Sequence, residues 1–262
     1  MRYVKRMVAI LMVLIMIVCV AFMVVLLQNR DDREGSSERT QKEQKGNPAA
    51  LKKTLPKHEK KPAVTEKKLS APYVSQKPEL PNGCEVTSLT MLLQSAGVKI
   101  NKMQLAEQIK KVPFQSGALK GNPNEGFVGN MYHGSRANPG FAVYHGPVAD
   151  LARRYLGERV IDMTGKPWSA IEKQMASGKP VWTITSINFQ PIPESAWQNW
   201  PTKQGTIRIT FKEHSVLLTG FDKNYVYFND PLAGKPGTKS SKQAFIKAWH
   251  QFGNQAISYT TH

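Results

Sequence analysis

The sequence predicts an α+β domain carried behind one membrane-spanning helix, and three observations predict it. A run without a charged residue fills positions 7–27. Beyond that run, helix-like segments cluster early and strand-like segments dominate the last third of the chain, the order expected of α+β rather than of a doubly wound sheet. Composition therefore divides the 262 residues into a tail at 1–6, a span at 7–27, a polar linker at 28–69 and a globular domain at 70–262.

The span is about 20 residues long, enough to cross a bilayer as a helix. It lacks the shorter apolar core and small-residue exit of a cleaved signal, so it reads as a retained anchor. Arg2, Lys5 and Arg6 precede it, whereas Arg30, Asp31, Asp32, Arg33 and Glu34 nearly cancel after it. The N-terminus is then expected to stay cytoplasmic and the domain to face outward from the membrane. Cys19 lies inside the span and reads as an ordinary apolar residue, since no small residue precedes it as lipoprotein processing requires.

The linker is rich in Lys, Glu, Gln, Ser and Pro, with "EKKPAVTEKK" as a typical passage, and reads as disordered. About 40 flexible residues have a root-mean-square span on the order of 35 Å, which keeps the domain close to the outer membrane face.

Within the domain, "APYVSQ" reads as a short strand leading to Gln76. Helices are expected at 85–96, closed by Gly97, and at 101–111. Positions 121–140, "GNPNEGFVGNMYHGSRANPG", read as loop from their Gly, Asn and Pro content. Helix "GPVADLARRYLG", strand "RVIDM", helix "WSAIEKQMASG" and strand "PVWTITS" come next. "TIRITF", "HSVLLTGF" and "YVYFNDP" then read as consecutive strands, before a helix around 242–252 and a final strand "AISY".

The net charge of +17 makes anionic partners plausible, and at this location anionic lipid headgroups or acidic cell-wall polymers fit best. A solvated basic surface is an equally open reading. Nucleic acid is excluded as a partner because no zinc-finger spacing, RNP-type motif or recognition helix is present.

Two cysteines exist, and the one in the span cannot pair with Cys84. A lone thiol in an exported domain points to reactivity, although a small buried hydrophobe is the plainer reading. Asn82 and Glu85 have capping-box spacing ahead of an apolar run, which places Cys84 in the first turn of a helix. Unpaired N–H groups and the positive end of the helix dipole favour a thiolate there, with Glu85 opposing.

A thiolate nucleophile needs a proton acceptor, itself oriented by a third group. Of six histidines, His214 alone opens a very apolar strand. A hairpin with "YVYFNDP" brings Asp230 within reach of its ring, while Asn229, the competing orienter, points to the opposite face.

Gln76, "GCEVTSLTMLL", "GNPNEGFVG", "HSVLLTGF" and "YVYFNDP", in this order, resemble the bacterial cysteine peptidase-like domains related to the bacteriocin-processing, double-glycine leader peptidases. The resemblance covers roughly 71–259 and implies a papain-like fold. It implies Cys84 as nucleophile, His214 as general base, Asp230 as its orienter and Gln76 as oxyanion-hole donor. Glu85 departs from the glycine that usually succeeds the cysteine in that family.

"GNPNEGFVG" lacks the Gly-Lys-Ser/Thr ending of a phosphate loop. No close His or Cys pair offers metal-ligand spacing, so neither metal nor cofactor is expected. Asn124 and Phe127 in that loop, with Trp197 and Trp200, are candidates for a substrate groove. Two functions stay open: a membrane-anchored peptidase acting on a peptide or protein by a Cys-His-Asp mechanism, and a catalytically silent domain of the same fold that binds envelope components.

Overall fold

A computed structural model describes residues 64–261. The expected span at 7–27 and most of the expected linker lie outside the described residues, and among the latter no helix is long and apolar enough to cross a membrane.

The chain opens with β1 (Lys67–Lys68), α1 (Cys84–Ser95) and α2 (Lys102–Gln108). Four two-residue strands come after them: β2 (Lys111–Val112), β3 (Gln115–Ser116), β4 (Leu119–Lys120) and β5 (Phe127–Val128). Next come α3 (His145–Leu156), β6 (Val160–Asp162), α4 (Trp168–Ala176) and β7 (Val181–Ser186). The last third holds β8 (Gln198–Thr202), β9 (Gly205–Ile209), β10 (Glu213–Phe221), β11 (Tyr225–Asn229), β12 (Thr238–Ser241), α5 (Lys242–Gln251) and β13 (Ala256–Tyr259).

The principal sheet runs β12-β11-β10-β7-β13-β6, with β1 added against β10, and every pairing in it is antiparallel. Strand alternation sorts its side chains into two cores. Trp182, Ile184, Leu217, Ile257 and Tyr259 join the cluster shared with α1, α2 and α3. Val181, Val216, Leu218, Phe228 and Ala256 join the one shared with α4 and α5. Because both faces are covered, β7 and β10 are buried throughout, which is why "HSVLLTGF" reads as a nearly continuous apolar run.

α1 lies deepest, buried from Cys84 to Leu93. Its two threonines are tolerated there because each has a local acceptor: Thr87 donates to the Gly83 carbonyl at 2.7 Å and Thr90 to that of Val86 at 2.8 Å. Ser88 donates to the Ser215 carbonyl at 3.1 Å and ties the helix to β10. The expected stop at Gly97 is met. Its φ of +86° lets the Gly97 N–H reach the Gln94 carbonyl and the Val98 N–H reach that of Leu93.

Several expectations change. Residues 71–76 form no ladder, and Asn229 Nδ2 donates to the Ala71 and Pro72 carbonyls instead. Lys67–Lys68, inside the expected disordered linker, pairs with Gly220 and Phe221. The expected helix at 101–111 is shorter, and the stretch around Trp200 forms β8 of a hairpin with β9. That hairpin is a separate two-stranded sheet, so its Pro201 interrupts no central ladder.

Candidate active site

The register Leu217↔Asn229 between β10 and β11 decides which side chains meet. One step on, Asp230 falls on the face that carries Val216 and His214, and Asn229 falls on the other. Asp230 Oδ1 lies 2.7 Å from His214 Nε2, with the two side chains 12% and 2% exposed. A carboxylate only accepts, so Nε2 carries the hydrogen and Nδ1 is the basic nitrogen. The Leu232 N–H also donates to Asp230 Oδ1 at 2.9 Å and fixes the carboxylate. Asn229 is spent elsewhere, accepting from the Gly237 N–H besides its two donations. Phe189, held at a φ of +60°, packs against the imidazole at 6.2 Å between ring centres.

Cys84 opens α1 beside the start of β10 and lines a cleft of about 130 Å³ together with Gln76, Asn82, Glu213 and His214. The outer walls are apolar: Ile187 and Phe211 are 49% and 54% exposed, unusual for such side chains. Gly140 and Phe141 complete them; a Cβ at Gly140 would stand 1.9 Å from the Asn130 carbonyl oxygen, so only glycine permits that approach. A larger depression of about 510 Å³ near Lys223 and Lys242 holds neither thiol nor histidine. A second imidazole–carboxylate pair, His145 with Asp162 at 2.6 Å, also has no thiol partner among the described residues. Chemistry rather than size selects the Cys84 cleft.

The expected capping box does not form. The N-cap residue of α1 is Gly83, without a side-chain cap, and Asn82 Nδ2 donates to the Asn130 carbonyl at 3.3 Å. Glu85 turns inward instead, accepting from the Val143 N–H at 2.7 Å and from the Cys84 thiol at 3.4 Å. The box is found at α2, between Asn101 and Gln104. Gln76 also departs from the oxyanion role the resemblance implies: its Nε2 donates to the Leu80 and Pro81 carbonyls, at 3.1 and 2.8 Å, leaving no amide hydrogen for the cleft.

The four groove candidates lie elsewhere. Asn124 is exposed and bonds Asn122; Phe127 is fully buried in the core. Trp197 packs on Phe252, and Trp200 donates to the Gly121 carbonyl while backing Phe141 and Phe211 from behind. Two of the lining residues that were not foreseen, Glu213 and Phe211, sit one and three positions before His214. Proximity to the histidine was the signal that could have found them.

Electrostatics run against ready ionisation of the sulfur. Burial, then the Glu85 and Glu213 carboxylates, push the Cys84 thiol well above its ordinary value, with a Ser215 backbone hydrogen bond opposing. Burial also raises Glu85 to about 7, and burial plus Glu85 raises Glu213. An acid whose folded value exceeds its unfolded one near 4.5 costs stability as pH climbs between the two values. Glu85→Gln is therefore expected to lose less stability than the parent from pH 5 to 8, measured by denaturant midpoints. Its Cys84 alkylation profile should move to lower pH; movement to higher pH would contradict the role assigned to Glu85.

Residues 68–257 match the Peptidase_C39 like family. The chain is 50% identical over 181 residues to the uncharacterized protein YvpB of Bacillus subtilis (strain 168), an alignment covering 69% of this chain and 70% of that protein. It is also similar to a crystal structure from Bacillus anthracis described as a C39-like peptidase, with a TM-score of 0.73 and 44% identity over 75% of this chain and 98% of that one. With the α1 cysteine, the β10 histidine and the antiparallel sheet in place, the chain belongs to the Peptidase_C39 like family of cysteine peptidase-related domains.

Proposed function

We propose that this chain is a cysteine peptidase that hydrolyses peptide or amide bonds at the outer face of a bacterial membrane, held there by residues 7–27. The observation that carries the reading is the buried His214–Asp230 pair opening onto the same cleft as Cys84. In this reading His214 Nδ1 takes the thiol proton as Cys84 attacks the carbonyl carbon, and returns it to the leaving amine. Water then hydrolyses the thioester. Asp230 holds the ring in the useful tautomer. The unpaired N–H groups of the first turn of α1 face the developing oxyanion, and Gln76 acts by fixing the Leu80–Pro81 turn ahead of Cys84. Peptide or protein substrates fit the exposed apolar walls, and the net charge of +17 supports contact with anionic lipid or wall polymer.

Asp230→Asn is expected to lower kcat/KM on the order of 10²- to 10⁴-fold, the range that general-base support supplies. Asn229→Ala should cost far less, because Asn229 bonds only backbone on the other face. Steady-state kinetics on any cleaved peptide settles the order, and the reverse would assign the orienting role to Asn229.

The raised Cys84 thiol favours a second reading, a silent domain that binds envelope components. Alkylation rate against pH, for the parent and for His214→Ala, separates the two. A profile that shifts in the variant supports the peptidase, and slow, identical profiles support the silent domain.

A further inference from the structure

Glu213 is the one acidic side chain lining the cleft, and the mechanism does not use it. It is 8% exposed, and its Oε1 has no hydrogen-bond partner. Gln76, 1% exposed and lining the same cleft, likewise has an Oε1 without a partner. Two buried acceptors thus await a donor, a costly arrangement unless something supplies one. No lysine or arginine lines the cleft to do so. The Cys84 sulfur and one carboxylate oxygen from each of Glu85 and Glu213 lie within 4.8 Å of one another. Where these carboxyls ionise, they place negative charge beside the sulfur and disfavour its thiolate.

We propose that Glu213, backed by Glu85, is a cation subsite that receives a primary ammonium group of the substrate next to the bond cleaved at Cys84. The substrate half of this statement rests on the peptidase reading; the subsite itself does not. An ammonium brings three hydrogen-bond donors and one positive charge, which answers both orphan acceptors and the carboxylate field together. Phe141, Ile187, Phe211 and Leu232 supply the apolar surface on which an alkyl stem carrying that ammonium would lie. The space of about 130 Å³ suits one such side chain or a free peptide N-terminus. Its arrival also offsets the carboxylate charge that, after burial, holds the sulfur protonated, so a cationic substrate assists ionisation of its own nucleophile.

The test uses the full chain and three thiol reagents of different charge: 2-aminoethyl (cationic), 2-sulfonatoethyl (anionic) and methyl (neutral) methanethiosulfonate. In each, the Cys84 thiolate attacks the sulfenyl sulfur, forms a disulfide and releases methanesulfinate. Rates are read at the Cys84 peptide by mass spectrometry and divided by those of a short cysteine peptide. The cationic reagent is expected to outpace the anionic one about tenfold, against the pull of a chain of net charge +17. Glu213→Gln should bring the two within about twofold, and Glu213→Asp should keep the preference. Equal rates or an anionic preference in the parent would overturn the subsite without need of any variant. A preference that survives Glu213→Gln would overturn it as well.

Peptides with lysine, norleucine or glutamate beside the cleaved bond, each with free and acetylated N-termini, identify the source of the ammonium. Faster cleavage with lysine assigns the side chain, and loss on acetylation assigns the α-amine. Faster cleavage with norleucine or glutamate overturns the proposal. If no peptide is cleaved while the reagent preference holds, the peptidase reading fails and the subsite stands.

Discussion

Replacing Cys84 by alanine is expected to abolish hydrolysis while leaving the domain folded. Nothing else in the cleft can form the thioester, so the rate should drop on the order of 10⁴-fold or more, to the level of the assay without enzyme. The fold should survive because alanine is the best helix former and the lost sulfur is small, a cost of about 1 kcal/mol. The substitution also removes the thiol that donates to Glu85 at 3.4 Å, a weak bond whose loss adds little to that cost. A peptide-release assay and far-ultraviolet circular dichroism on the same sample check both halves. Full activity in Cys84→Ala would reject the mechanism, and loss of the helical signal would reject the structural half.

The second large effect is on stability. Trp182 of β7 is fully buried, and its indole N–H donates to the Glu85 carbonyl at 3.0 Å, joining the sheet to the first turn of α1. Trp182→Ala deletes a large core side chain and that bond, and is expected to cost about 3–5 kcal/mol. For a domain of this size the melting temperature should fall by about 10 °C or more. Trp197→Ala, which removes a half-buried ring at the edge of the same cluster, should cost much less. Thermal unfolding of the two variants side by side provides the measurement. Similar losses would mean that the bond from Trp182 to α1 adds nothing beyond the burial of its ring.

Part of this arrangement is legible in the sequence because it is local. Cys84 at a helix start follows from the apolar run behind it, and Asp230 rather than Asn229 as the partner of His214 follows from strand parity once a hairpin is assumed. The Gly97 stop follows from the demand for positive φ. The expectations that fail are those that depend on distant chain. Asn82 and Glu85 have the spacing of a cap, yet the 130–143 segment offers each a stronger partner, a carbonyl for Asn82 and the Val143 N–H for Glu85. The Glu85–Glu213 proximity arises only when α1 docks on β10, and no window of sequence contains both. Trp200 looks like a groove residue because it is aromatic and flanked by loop residues, but the β8–β9 hairpin turns it inward to support the aromatic wall instead of forming it.

β10 also sets how the domain can be held. Its nine residues carry His214 near one end, while the other end, at Gly220 and Phe221, clasps Lys67 and Lys68 where the described chain enters. Seven residue steps of extended strand, from His214 to Phe221, span about 23 Å. A tug on the chain ahead of Lys67 is therefore met first by this clasp and by the Leu69 N–H bond to the Thr219 carbonyl, at the end of β10 remote from His214. Strain on that grip is thereby kept a strand's length from the His214–Asp230 pair.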